Sequence, residues 1–342
     1  MSAIVGHDAA IAEFLAAMRG PRLHHAWLIA GPEGTGKATA AAAFAKRMLA
    51  EGAGPEIAGD GLDVPENHPI GKLVDAWTHP DFIQLERAPR DMKPLRELDR
   101  RDWPADLERA RNITIDQVRA LGGTFALTPT YSRRRVVLVD AIDDLERGAA
   151  NALLKSLEEP PQGTIFLLVS HAPGRLLPTI RSRCRVLRFD PLDDEAMRVA
   201  LRRQLPAADA AEIDALVAAG QGSPGRALGY AGLDLAGLDA SLKALAQTGD
   251  ADNAVRAELA QSLSVKSAQR RYEAFLARAP AFIAGEAKTR SGPALAAALD
   301  AWGAARNLAE SAIRQSLDPQ MTVFALGGHV AGLAPGGASA KA

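Results

Sequence analysis

At 342 residues the chain is long for a single core and suits two or three domains. Its 47% hydrophobic and 24% charged residues are ordinary for a soluble globular protein, no apolar run approaches the roughly 20 residues of a membrane span, and the start MSAIVGHDAAIAEF lacks the pattern of a signal peptide. A formal net charge of −1 excludes a polycation, and the single cysteine, Cys184, excludes an internal disulfide and a cysteine-rich zinc site and points to a reducing cytoplasm.

A helix is predicted near residues 8–19, and HAWLIA (25–30) reads as a short buried strand feeding GPEGTGKATA (31–40). Gly31, Gly36 and Lys37, with Gly34 between them, fit the phosphate-loop pattern G-x-x-x-x-G-K-[S/T], but Ala38 stands where a hydroxyl would help hold Mg²⁺. Thr39 is one residue further round, about 100° away on a helix, and cannot substitute. The alanine-rich KATAAAAFAKRMLA (37–50) predicts a helix, so the motif lies in the strand, glycine loop, helix context that phosphate binding requires. Residues 51–80 read as loop, ending in THPDF before the strand FIQLE. Residues 87–112 mix both charge signs and read as a solvated surface excursion.

TIDQVRAL (114–121) predicts a helix capped by Thr114. RVVLVD (135–140) reads as a buried strand ending in Asp140, an acid suited to supporting a nucleotide's Mg²⁺. DLERGAANALLKSLEE (144–159) predicts an amphipathic helix stopped by Pro160 and Pro161, with Asp143 and Asp144 as its structural loop and N-cap. TIFLLVS (164–170) and RVLRF (185–189) complete the strands, and the alternation implies a parallel sheet covered on both faces. After Pro191 only helical periodicity is found, over 193–204, 209–219, 224–232, 236–247, 252–263, 266–285 and 293–316. The terminal APGGASAKA is small and polar and is expected to be disordered.

Two arginine-bearing stretches each leave alternatives open. In TIRSRC (179–184), Arg183 is either a solvated surface arginine or a planar cation able to reach a neighbour's nucleotide, beside a buried Cys184. Arg133, Arg134 and Arg135 form either a DNA-facing or partner-facing patch or a solvated strand entry. Ser170, which ends the strand TIFLLVS, and His171 after it are polar but unremarkable, and His171 reads as a loop residue rather than a catalyst.

HAWLIAGPEGTGK, RVVLVD, NALLKSLEEPP, TIFLLVS and TIRSRC together closely resemble bacterial DNA polymerase III clamp-loader subunits of the AAA+ class, over about residues 1–235. The hydrolysing subunits of that family keep the loop hydroxyl and place a water-polarising glutamate after the strand-terminal aspartate; here these are Ala38 and Ala141. Lacking both, the chain resembles the members of that family that do not hydrolyse ATP. The resemblance implies an AAA+ P-loop parallel-sheet domain (1–190), a small helical lid (191–236), an all-α collar (237–330) and a disordered tail (331–342). It also implies that Arg183 is supplied in trans as an arginine finger, a device worth about 10³–10⁵ in rate, with Ser182 and Cys184 shaping its turn.

On the same grounds Gly31, Gly34, Gly36, Lys37 and Asp140 would form a degenerate nucleotide site. No cofactor is required, ATP binding stays open, and intrinsic hydrolysis is not expected. Many relatives carry a four-cysteine zinc module in the stretch corresponding to 51–80. This chain has no cysteine there, and His68 and His79 alone do not make a tetrahedral site, so no zinc is expected. In GSPGRAL (222–228), Gly225 replaces the γ-phosphate-sensing arginine of motor subunits, and Arg226 is not expected to compensate. The implied partners are the motor (gamma/tau) and delta subunits, the sliding clamp and, through the assembled complex, primer-template DNA in the cytoplasm. The rival expectations are an ATP-hydrolysing motor subunit of the same class and a small P-loop kinase.

Overall fold

The structure, a computed structural model, describes residues 4–54, 57, 59, 61–91 and 107–335. Most of the mixed-charge excursion (92–106) and most of the tail (336–342) lie outside the described residues. The chain divides into two compact units, Met1–Ala200 with Gly222–Gly225, and Leu201–Gln221 with Arg226–Ala342.

The first unit runs α1 (Asp8–Arg19), β1 (Ala26–Ala30), α2 (Lys37–Ala53), α3 (Pro69–Asp75), β2 (Phe82–Glu86), α4 (Ile115–Phe125), β3 (Arg135–Asp140), α5 (Arg147–Glu158), β4 (Thr164–Ser170), α6 (Pro178–Arg181), β5 (Arg185–Arg188) and most of α7 (Asp194–Gln204). The five strands pair in parallel in the order β2-β3-β4-β1-β5. The central strands are continuously apolar because both faces are covered. Alternate residues supply two cores. Trp27, Ile29, Val136, Leu138, Leu167 and Val169 pack in one cluster with Phe14 of α1 and Phe44 of α2. Leu28, Val137, Val139, Phe166 and Leu168 pack in the other with Val118 and Leu121 of α4 and Leu153 and Leu157 of α5.

Thr114 caps α4 through a capping box with Gln117, as its sequence predicts. Four expectations need correcting. The stretch 51–80 contains α3, which opens on Pro69 and buries Ile70 and Val74, two apolar residues too few to give a periodic signal. The helix expected from 144 begins at Arg147 with Glu146 as N-cap; Asp143 and Asp144 instead belong to a 3₁₀ turn, and Asp144 pairs with Arg87 at 3.2 Å. Arg135 is not part of a solvated strand entry. It is buried, donates to Leu127 O at 3.1 Å and faces the fully buried Asp81 carboxylate at 4.0 Å.

The fourth correction falls in the second unit, whose described residues contain helices and no strand: α8 (Ala210–Gly220), the end of α9 (Pro224–Gly229), α10 (Leu235–Thr248), α11 (Ala254–Leu263), α12 (Gln269–Ala287), α13 (Gly292–Gln315) and α14 (Pro319–Ala331). α14 lies beyond the predicted helices. Asp318 caps it by accepting from Met321 N at 2.8 Å, and Pro319 occupies its first turn. Leu333 and Ala334, just beyond it, are buried. Within this unit Arg278 Nε donates to Asp239 at 2.6 Å and Arg256 Nε to the buried Asp250 at 2.9 Å. Among the described residues no helix is long and apolar enough to cross a membrane.

Candidate functional site

The carboxyl ends of β1, β3 and β4 converge on the glycine loop. Register places Ala30 beside Ser170 and Asp140 beside Val169, so β4 separates the loop-bearing strand from the acid-bearing one. Gly31 N donates to Ser170 O at 3.2 Å, and a Cβ on Gly31 would lie 1.9 Å from Phe189 O, so only glycine passes there. Gly34 and Gly36 take φ of 77° and 88°, the left-handed turn that leads into α2.

The loop's carbonyls are held by residues outside it as well as within it. His7 Nε2 donates to Thr35 O at 3.0 Å, Ser223 Oγ to Glu33 O at 2.8 Å and Gly225 N to Gly34 O at 2.9 Å. Thr35 Oγ1 donates to Pro32 O at 3.0 Å, and Lys37 Nζ also bonds that oxygen. The amides of Glu33, Gly34, Gly36 and Lys37 make no hydrogen bond among the described residues. Tied carbonyls and open amides at the start of a helix are the arrangement of an anion nest. Burial lowers the Lys37 pKa to about 8.

The residues present fit an anion better than a metal. Ala38 and the buried Ala141 carry no side-chain oxygen, and Thr39 is exposed to solvent. Burial, foremost, raises the Asp140 pKa above the usual carboxylate range. Asp143, the nearest further acid in sequence, spends both oxygens on the turn after β4: it accepts from Ser170 Oγ at 3.0 Å, His171 N at 2.7 Å and Ala172 N at 3.1 Å. One aspartate without hydroxyl support is a poor match to octahedral Mg²⁺.

Arg183 lies at the other edge of the sheet. It precedes β5, whose Arg185 is level with Trp27, whereas the loop begins after Ala30, level with Arg188. The separation along the sheet is at least three or four strand residues, roughly 10–13 Å. The sequence thus brings Gly31, Gly34, Gly36, Lys37 and Asp140 together and sets Arg183 apart from them. Arg183 Nη1 donates to Thr179 O at 2.9 Å, and Nη2 pairs with Glu158 at 2.8 Å. Ser182 Oγ closes the turn onto Thr179 O at 3.1 Å, and Cys184 Sγ donates to Ile180 O at 3.2 Å.

His79 is buried, with Nδ1 accepting from Asp81 N at 3.0 Å, while His68 is the N-cap residue of α3 and makes no side-chain cap bond. Arg226 Nη1 donates to Gln221 at 3.2 Å within the helical unit. His7, Ser223, Asp81 and Glu158 carry the geometry yet were not singled out from sequence. His7 and Ser223 reach the loop from 28 and 190 residues away, and nothing in their neighbours marks them.

A parallel sheet with a phosphate loop after one strand, an acid ending a strand two places away and an all-helical C-terminal part defines an α/β P-loop protein of the AAA+ class. The chain belongs to the family described as DNA polymerase III, delta subunit, whose model matches residues 6–193. It is 38% identical over 201 residues to DNA polymerase III subunit delta' of Pseudomonas aeruginosa, covering 58% of this chain and 53% of that protein. It is 32% identical over 183 residues to the delta' subunit of Bacillus subtilis, covering 54% and 47%. To the gamma/tau subunit of Mycobacterium bovis it is 29% identical over 226 residues, covering 65% and 34%. The chain spans about half the length of the delta' relatives.

Proposed function

We propose that this chain is a delta-prime-like subunit of a clamp loader. In that role it completes a ring with gamma/tau and delta subunits, helps open a sliding clamp and place it on primed DNA, and supplies Arg183 to the ATP site of the adjacent motor subunit. The observation that carries this reading is the placement of Arg183 at the amino edge of the sheet, across from its own phosphate loop. From there a guanidinium cannot serve Lys37's site, but it can serve a site presented by another chain. Its permanent charge and forked donors suit phosphate oxygens, and such a finger is worth about 10³–10⁵ in rate.

The loop itself keeps an anion nest and has lost its metal and base groups, so in this reading it binds phosphate weakly or not at all and splits none. Retaining the fold is explained by what it holds: the same sheet that shapes the silent loop also fixes the turn bearing Arg183. The test is co-purification with gamma/tau-type and delta-type chains, together with ATP turnover by the chain alone. The expected result is a stable assembly and background turnover in isolation. Turnover by the isolated chain that Lys37→Ala abolishes would overturn the reading in favour of a motor subunit.

A further inference from the structure

Glu158 is the last residue of α5, and it ends that helix with the wrong sign of charge. Carboxylates are disfavoured where the helix macrodipole is negative, and the residue after next, Pro160, does not continue the helix. Two adjacent carboxylates stand here, Glu158 and Glu159. Glu158 Oε1 lies 2.8 Å from Arg183 Nη2, while Glu159 makes no ion pair or side-chain hydrogen bond among the described residues. The second anchor of the same guanidinium is the backbone, through Nη1 to Thr179 O at 2.9 Å.

Arginine has five N–H donors in a rigid plane. Nη1 donates to Thr179 O and, at 3.5 Å, to Ser182 Oγ, and Nη2 meets Glu158 as an ion pair, so Nε–H and the second Nη2 hydrogen stay available to phosphate oxygens. Glu158 is 42% and Arg183 34% exposed, and an ion pair that open adds little to folding. What it does alter is the number of directions a long, flexible side chain points.

We infer that Glu158 is a positioning residue for Arg183, holding its guanidinium in the orientation presented to a neighbouring chain's triphosphate. The inference rests on the reading of Arg183 as a group delivered in trans.

The test uses the full assembly with gamma/tau-type and delta-type chains and compares Glu158→Ala, Glu158→Gln, Glu159→Gln and Arg183→Ala. Glu158→Ala is expected to assemble normally and to lower the kcat for ATP roughly tenfold with KM within twofold, as a misaligned catalytic group does. Glu158→Gln, which keeps an acceptor oxygen, is expected to recover part of the loss, Glu159→Gln to behave as wild type, and Glu158→Ala to add nothing on top of Arg183→Ala. If Arg183→Ala lowers kcat and Glu158→Ala does not, or raises it, the positioning role is wrong while the trans reading stands. If Arg183→Ala itself leaves kcat unchanged, both fall together.

Discussion

The amide of Gly225 donates to the carbonyl of Gly34 at 2.9 Å, and a Cβ at position 225 would stand 2.8 Å from Gly34 Cα and 3.1 Å from its oxygen. Backbone meets backbone, so no side-chain rotation relieves the contact. Gly225→Ala is therefore expected to force a shift costing about 1–3 kcal/mol. The effect is read as a lower urea midpoint at unchanged m-value; an unchanged midpoint contradicts this packing. Any longer side chain at position 225, an arginine included, meets the same obstacle.

Asp81 is fully buried and accepts from Thr130 N at 2.9 Å and Tyr131 N at 2.9 Å, with the buried Arg135 guanidinium 4.0 Å away. Asp81→Ala leaves those amides and that cation without their acceptor. The expected loss is about 3–5 kcal/mol, the scale for removing one partner of a buried pair. Urea unfolding measures it, and the Thr130 and Tyr131 amides should exchange with solvent faster. A loss no larger than an exposed aspartate's would refute the assignment.

Burial holds Lys37 at about 8 against an ordinary 10.5, and the sign of the consequence follows. Between these two pH values the unfolded chain carries more protons than the folded one, so unfolding free energy rises with pH across that window. Below pH 8 both states hold the proton and this group adds no slope. Lys37→Met should flatten the rise between pH 8 and 10. Equal slopes for wild type and variant in urea unfolding would show that the ammonium is not held as described.

Cys184, the single thiol of the chain, is pushed up to about 12 by burial. At pH 8 this makes the thiolate fraction smaller by a factor on the order of 10³ than for an ordinary cysteine near 8.5. Alkylation by iodoacetamide should be slow in the native chain and fast in denaturant. Comparable rates in the two conditions would mean that Cys184 is not enclosed in the turn before β5.

The five strands and the phosphate loop were legible because each depends on local signals: apolar runs such as RVVLVD and TIFLLVS, and glycines at fixed spacing ahead of an alanine-rich helix. What sequence could not supply is long-range pairing. Arg135 reads as one of three like arginines, and its burial depends on Asp81, 54 positions earlier in the numbering. α3 was missed because it buries few apolar residues, and α14 because its period is blurred by glycines at 327 and 328. At the candidate site the motif residues were found. Their supports, His7, Ser223 and Glu158, were not, since each acts on a partner brought near only by the sheet.

The central claim is that position 183 acts on a neighbour's ATP rather than on this chain's own loop. Its most direct measurement is DNA- and clamp-stimulated ATP turnover by an assembly reconstituted with wild-type or Arg183→Ala chain, beside gel filtration of both. The account predicts equal assembly and a turnover at least about tenfold lower for the variant, within the range that arginine fingers span. Equal turnover from two fully assembled complexes would contradict it.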